Sequence, residues 1–239
     1  MRALLSNIAA FAGAAVVAGF SFAAVAVEGP LVTADWLLEN LGDTNVRVFE
    51  VSVEPGVYER GHIPGAVNIN WHTDLVDPVR RDIASREAFG AFLGAAGIED
   101  DTTIVLYGDN NNWFAAWGAW VFEMYGLEAK LLDGGRKLWE AEGLPLDSAV
   151  PSYAATTVEL PEYNEELRAR LGDVVEVAEG RIDNAIVDIR GPAEYNGEIF
   201  APEGVQELSI RAGHVPGAVN FPWGKAVNED GTFKSADDL

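Results

Sequence analysis

Hydrophobic positions in this chain follow two periods in alternation. In TADWLLENLG they recur on a helical period, with Thr33 placed to cap the start and Gly42 to stop it. VRVFEVSV, from Val46, reads as a strand. SREAFGAFLGAAG reads as a helix capped by Ser85 and ended by Gly97. TTIVLYG, from Thr102, is a nearly continuous apolar run, which suits a central strand buried on both faces of a parallel sheet. NWFAAWGAWVFEMYG, ending at Gly126, is an apolar helix. AKLLDGG follows as a short strand and RKLWEAEG as a helix closed by Gly143. Strands and helices taken in turn imply an α/β domain with a mainly parallel sheet, spanning residues 30–145.

Residues 146–165 break the pattern. They carry prolines and no helical period, so they read as an extended linker. The order then restarts over residues 166–239. NEELRARLGDVVEVAEG is helical in composition and NAIVDIRG reads as a strand. One motif also recurs: GHIPGAVNINW begins at Gly61 and GHVPGAVNFPW at Gly213. Matching order and a matching motif imply that one domain was duplicated in tandem. The second copy reaches Leu239 before any counterpart of TTIVLYGDNNNW, so it is expected to be incomplete.

The first 26 residues differ in kind. Arg2 is the sole charge before Glu28, and the apolar run ends on Ala24-Val25-Ala26, which a signal peptidase could read. A cleaved signal peptide and an exported protein are expected. An uncleaved anchor and a buried first helix are the alternatives. Across the chain 38 acidic residues face 16 basic ones, a formal net charge of -22. Such a surface repels phosphate backbones, so nucleic acid is not an expected partner. There is no cysteine, which excludes disulfides, thiolate metal sites and thiol nucleophiles within these residues.

In both motif copies proline precedes glycine, Gly65 and Gly217, the arrangement of a tight turn whose second position needs positive φ. His62 and His214 stand before those turns. The same histidine in both copies suits a structural role holding the loop. No second histidine lies at ligand spacing, so no metal site is expected. Gly108, Asp109, Asn110, Asn111 and Asn112 follow a strand and enter a helix. That is where open parallel sheets bind ligands and where N–H groups can hold an anion. Helix capping and turn formation would equally account for Asp109 and the asparagines.

Taken together, GHIPGAVNINW, LYGDNNNWFAAWGAW, LLDGGRKLWEAEGLPL, VDIRGPAEYNGE and GHVPGAVNFPWGKAVNEDGTFKSADDL resemble a two-domain rhodanese, a thiosulfate sulfurtransferase. The resemblance implies tandem domains, each a parallel five-stranded sheet flanked by helices. It implies an inactive N-terminal copy, and a C-terminal copy whose loop opens on a cysteine. That cysteine takes a sulfane sulfur from thiosulfate, becomes a persulfide and passes the sulfur to cyanide or another thiophile. The partners so implied are a small-molecule sulfur donor and acceptor, with no cofactor. In the first copy the cysteine position falls at Gly108. In the second it is expected beyond Leu239, at about position 260 by the spacing of the first copy. Arg190 matches an arginine common at this site. The position of a second, thiosulfate-binding arginine is Glu194 here, which leaves 3-mercaptopyruvate open as donor. Arg190 could also simply pair with Asp188 or Glu194. A rhodanese-like module that only binds, without sulfur transfer, is the rival reading.

Overall fold

The computed structural model describes residues 29–80, 82–203 and 209–239. The expected signal peptide lies outside the described residues. No helix among the described residues is long and apolar enough to cross a membrane.

The first unit opens with β1 (Leu31–Val32) and α1 (Ala34–Asn40). Thr33 caps α1 by accepting the Trp36 N–H at 3.2 Å. Next come β2 (Val46–Glu50), β3 (Val67–Asn68), and the hairpin of β4 (Val76–Asp77) with β5 (Asp82–Ile83). α2 (Arg86–Ala95) follows, capped by the Ser85 hydroxyl, and then β6 (Thr103–Tyr107) and α3 (Trp113–Met124). β7 (Ala129–Leu132) and α4 (Gly135–Ala141) complete the unit. Five of these strands form one parallel sheet in the order β1-β7-β6-β2-β3. The apolar run Thr103–Tyr107 takes its centre, as its sequence implies, because both faces are covered. One core packs Phe49, Leu106, Phe89 and Phe122 together, and the other packs Val48, Val105, Leu37 and Trp139.

Residues 146–165 are extended, but they do not hang free. They form a strap laid along the first unit. Asp147 and His62 exchange backbone hydrogen bonds of 2.8 Å. The Tyr153 hydroxyl donates to Gly65 O at 2.6 Å, and the Arg47 guanidinium sits 3.4 Å over the Tyr153 ring. Thr156 bonds Gly94 O through its N–H and Ile98 O through its hydroxyl, and Leu160 is buried in the core. Gly94 makes this approach feasible, since a Cβ there would stand 2.6 Å from Thr156 O. The strap supplies hydrogen bonds and apolar cover that its sequence, lacking any period, does not announce.

Beyond the strap lie α5 (Leu171–Ala178), β8 (Val187–Asp188), α6 (Pro192–Tyr195) and β9 (Val219–Asn220). The helix expected across residues 164–180 is therefore shorter. Residues 165–167 make one tight turn, and Arg168 is extended where its side chain reaches Asp82 at 2.5 Å. β8 and β9 pair in parallel as Val187↔Val219 and Asp188↔Asn220. β2 and β3 pair in the same register, Phe49↔Val67 and Glu50↔Asn68.

Candidate functional site

The carboxyl ends of β2 and β6 bring three buried polar side chains together. Glu50 ends β2, Tyr107 ends β6, and Arg136 lies in the first turn of α4. Arg136 Nη1 donates to Glu50 Oε1 at 2.7 Å, and its Nε donates to Glu140 at 2.7 Å. Its Nη2 donates to Gly61 O, while the Tyr107 hydroxyl donates to Glu50 Oε2. The Ile63 N–H donates to the Tyr107 oxygen at 2.8 Å. Burial first, and then the Glu50 charge, push the Tyr107 hydroxyl well above the ordinary tyrosine range. This network fixes Gly61, His62 and Ile63 against the sheet. Sequence reasoning missed all three side chains. The available signal was an acidic residue, Glu50, closing a strand and matched by Asp188 at the end of the strand before the second motif.

His62 is fully buried. Its ring stacks on Tyr58 at 3.8 Å, Nδ1 lies 3.1 Å from Tyr58 O, and Nε2 lies 3.2 Å from Ala149 O in the strap. The Tyr58 hydroxyl donates to Ala66 O at 2.8 Å, and burial, followed by the Glu50 charge, lifts its pKa to about 12. Gly65 takes φ 79, as the Pro-Gly turn requires.

The loop after β6 is built to be occupied by its own side chains. Asn110, Asn111 and Asn112 all have positive φ, at 49, 52 and 63. Asn tolerates the left-handed region better than other non-glycine residues. Asn112 is buried; its Oδ1 accepts the Gly108 N–H at 3.0 Å and its Nδ2 donates to Leu132 O at 2.6 Å. Asp109 makes no helix-capping hydrogen bond. Its carboxylate instead accepts the N–H groups of Val53 and Glu54 at 3.2–3.4 Å, tying this loop to the exit of β2. At Gly108 a Cβ would stand 2.3 Å from Val51 O. The backbone there has no room for any side chain.

The second motif, GHVPGAVNFPW, repeats the arrangement. Tyr195 stacks on His214 at 3.7 Å, His214 Nδ1 lies 2.7 Å from Tyr195 O, and the Tyr195 hydroxyl donates to Ala218 O at 2.7 Å. Gly217 has φ 83. Arg190 pairs with Asp188, Nε to Oδ1 at 3.0 Å and Nη2 to Oδ2 at 2.6 Å, and also donates to Gly213 O at 2.9 Å. The Arg190 hydrogen bond holds the Asp188 carboxyl below its ordinary range, against the burial that would raise it. Arg136 thus does for Gly61 what Arg190 does for Gly213, from α4 rather than from the loop after a strand. Glu194 accepts the Gly191 N–H at 3.1 Å, which caps α6. The segments on either side of the strap also touch. Trp113 stacks on Trp223 at 4.8 Å, and the Phe233 N–H donates to Asp133 at 2.7 Å.

Residues 33–142 match the family model of the rhodanese-like domain. Over 215 residues the chain is 49% identical to the "Sulfur carrier protein TtuD" of Thermus thermophilus, covering 87% of this chain and 75% of that one. The chain belongs to the rhodanese family. Its rhodanese relatives include a "Putative thiosulfate sulfurtransferase" of Saccharopolyspora erythraea, 46% identical over 214 residues, covering 89% of this chain and 75% of that one. Among solved structures, SseA from Escherichia coli, described as a 3-mercaptopyruvate sulfotransferase, superposes with a TM-score of 0.74. It is 26% identical and covers 87% of this chain and 80% of that one. The parallel five-stranded sheet flanked by helices is the rhodanese fold.

Proposed function

We propose that these residues belong to a tandem-domain sulfurtransferase that moves a sulfane sulfur from thiosulfate to a thiophilic acceptor through a cysteine persulfide. The observation that carries the tandem part is the repeat in register, ring stack and hydrogen bonds at His62 and His214. The first copy is the supporting one, because Gly108 leaves no space for a nucleophile. The second copy frames the catalytic loop. Its exposed Val187, Ile189 and Val219 are the surfaces that a central strand and its helices would cover. The chemistry needs a thiolate held by N–H groups, and these 239 residues contain no cysteine. On this reading they carry out no sulfur transfer alone, and a chain continuing past Leu239 places its cysteine at about position 260. Arg190 and Glu194 shape the entrance to that loop. The donor is thiosulfate, with 3-mercaptopyruvate as the second reading in view of SseA. Export through a cleaved segment of residues 1–26 goes with this proposal.

The test is thiocyanate formation from thiosulfate and cyanide. The 239-residue chain should match the buffer blank, and a C-terminally extended chain should turn over. Turnover by the 239 residues would reject a cysteine persulfide as the sulfur carrier, and an extended chain with no cysteine between about 255 and 265 would favour a binding module.

A further inference from the structure

A cleft of about 590 Å³ opens beside α3 in the first unit, lined by Trp71, Trp117, Trp120, His72, Asp82 and Arg168. Its three indoles stand as walls rather than as a stack. Trp71 and Trp117 meet at 5.3 Å and 63°, and Trp117 and Trp120 at 5.6 Å and 61°. All three are half-buried, unlike Trp139, which is sealed in the core. At the cleft wall Arg168 Nη1 donates to Asp82 Oδ1 at 2.5 Å. Burial raises the Asp82 pKa, but the Arg168 hydrogen bond and the Ile83 N–H outweigh it, so the carboxyl is held below its ordinary range and stays charged. A guanidinium has five N–H donors, so the pairing with Asp82 leaves Arg168 able to take a second acceptor.

We propose that this cleft binds a small zwitterion with a methylated ammonium head and a carboxylate tail. Indole faces attract a cation, and the methyl groups of such a head suit apolar walls that a hydrated alkali ion would not. Asp82 adds to that attraction. The carboxylate tail fits the remaining N–H donors of Arg168. A simple anion is disfavoured by Asp82 and by the net charge of -22, whereas a ligand that is neutral overall avoids both penalties. The cleft uses no residue of the proposed sulfur-transfer site, so this inference stands apart from that reading.

The experiment is titration of the 239-residue protein with glycine betaine, followed by calorimetry and tryptophan fluorescence, with tetramethylammonium chloride, sodium acetate and tert-butanol in parallel. Betaine should give a saturable response, with tetramethylammonium about tenfold weaker and acetate silent. Trp120→Ala should weaken both cationic ligands about tenfold, and Trp120→Phe by less. Arg168→Gln should weaken betaine about tenfold and leave tetramethylammonium within about twofold. Circular dichroism of each variant verifies its fold. A response that never saturates, one reproduced by tert-butanol, or betaine binding untouched by Arg168→Gln would overturn the proposal.

Discussion

Gly108 follows β6, and the backbone just past β2 closes the space beside it. A side chain there must displace Val51 O, 2.3 Å from its Cβ. Gly108→Cys should therefore give no sulfur transfer in the thiocyanate assay, and should lower the urea midpoint of the first unit. Thiocyanate above the blank would show that the loop can move aside. The buried pair of Glu50 and Arg136 invites a second measurement. Arg136→Leu leaves an uncompensated carboxylate and three broken hydrogen bonds. It should cost about 3–5 kcal/mol in urea unfolding. Adding Glu50→Gln should recover part of that loss, because the unpaired charge is gone. A double variant no more stable than the single one would place the cost in lost packing instead.

Among elements, β8 is tied to the segment before β9 by a charged clamp: Arg190 between Asp188 and the Gly213 carbonyl. The Asp188 pKa is lower folded than unfolded. Its contribution is therefore present above the unfolded value, about 4, and is lost as pH falls through the lower folded value. The backbone amide of Arg190, which donates to the Asp188 carboxylate, should change its chemical shift as pH falls below about 4. In Asp188→Asn that acid transition should disappear. An unchanged transition in the variant would assign it to another carboxylate. The strap is the second element whose weight lies in its contacts. Its prolines and lack of period made it read as a spacer, yet Tyr153, Thr156 and Leu160 dock it on the first unit.

Across the whole molecule, burial is uneven. The buried hydrophobic residues run from Val32 to Leu160, and Ala218 is the single one in the second unit among the described residues. Ile189, Phe200 and Val219 are about half exposed. Amides of β2 and β6 should be the last to exchange with deuterium, and those of β8 and β9 among the first. Limited proteolysis should cut beyond Arg168 and spare the strap, leaving a fragment of the first unit with the strap attached. Cleavage between residues 150 and 160 ahead of any cut in the second unit would show that the strap contacts are weak.

The hydrophobic periods of this chain were enough to place α1, α2, α3, α4, β2, β6 and β7, because each buries a face on a regular repeat. The Pro-Gly turns were equally legible, since positive φ at Gly65 and Gly217 is a local requirement. So was the repeat at His62 and His214, which needs only comparison of the chain with itself. Short strands such as β3 were not legible, because two residues carry no period. The Glu50–Tyr107–Arg136 network was out of reach as well, since its members lie up to 86 residues apart and meet only when β2, β6 and α4 are assembled. Space is likewise a tertiary quantity. That Gly108 excludes a side chain, and that three tryptophans leave a cleft open, depends on where β2 and the hairpin of β4 and β5 pack. Local pattern decides which elements form, and the distances between their side chains are decided only by the packing of the whole.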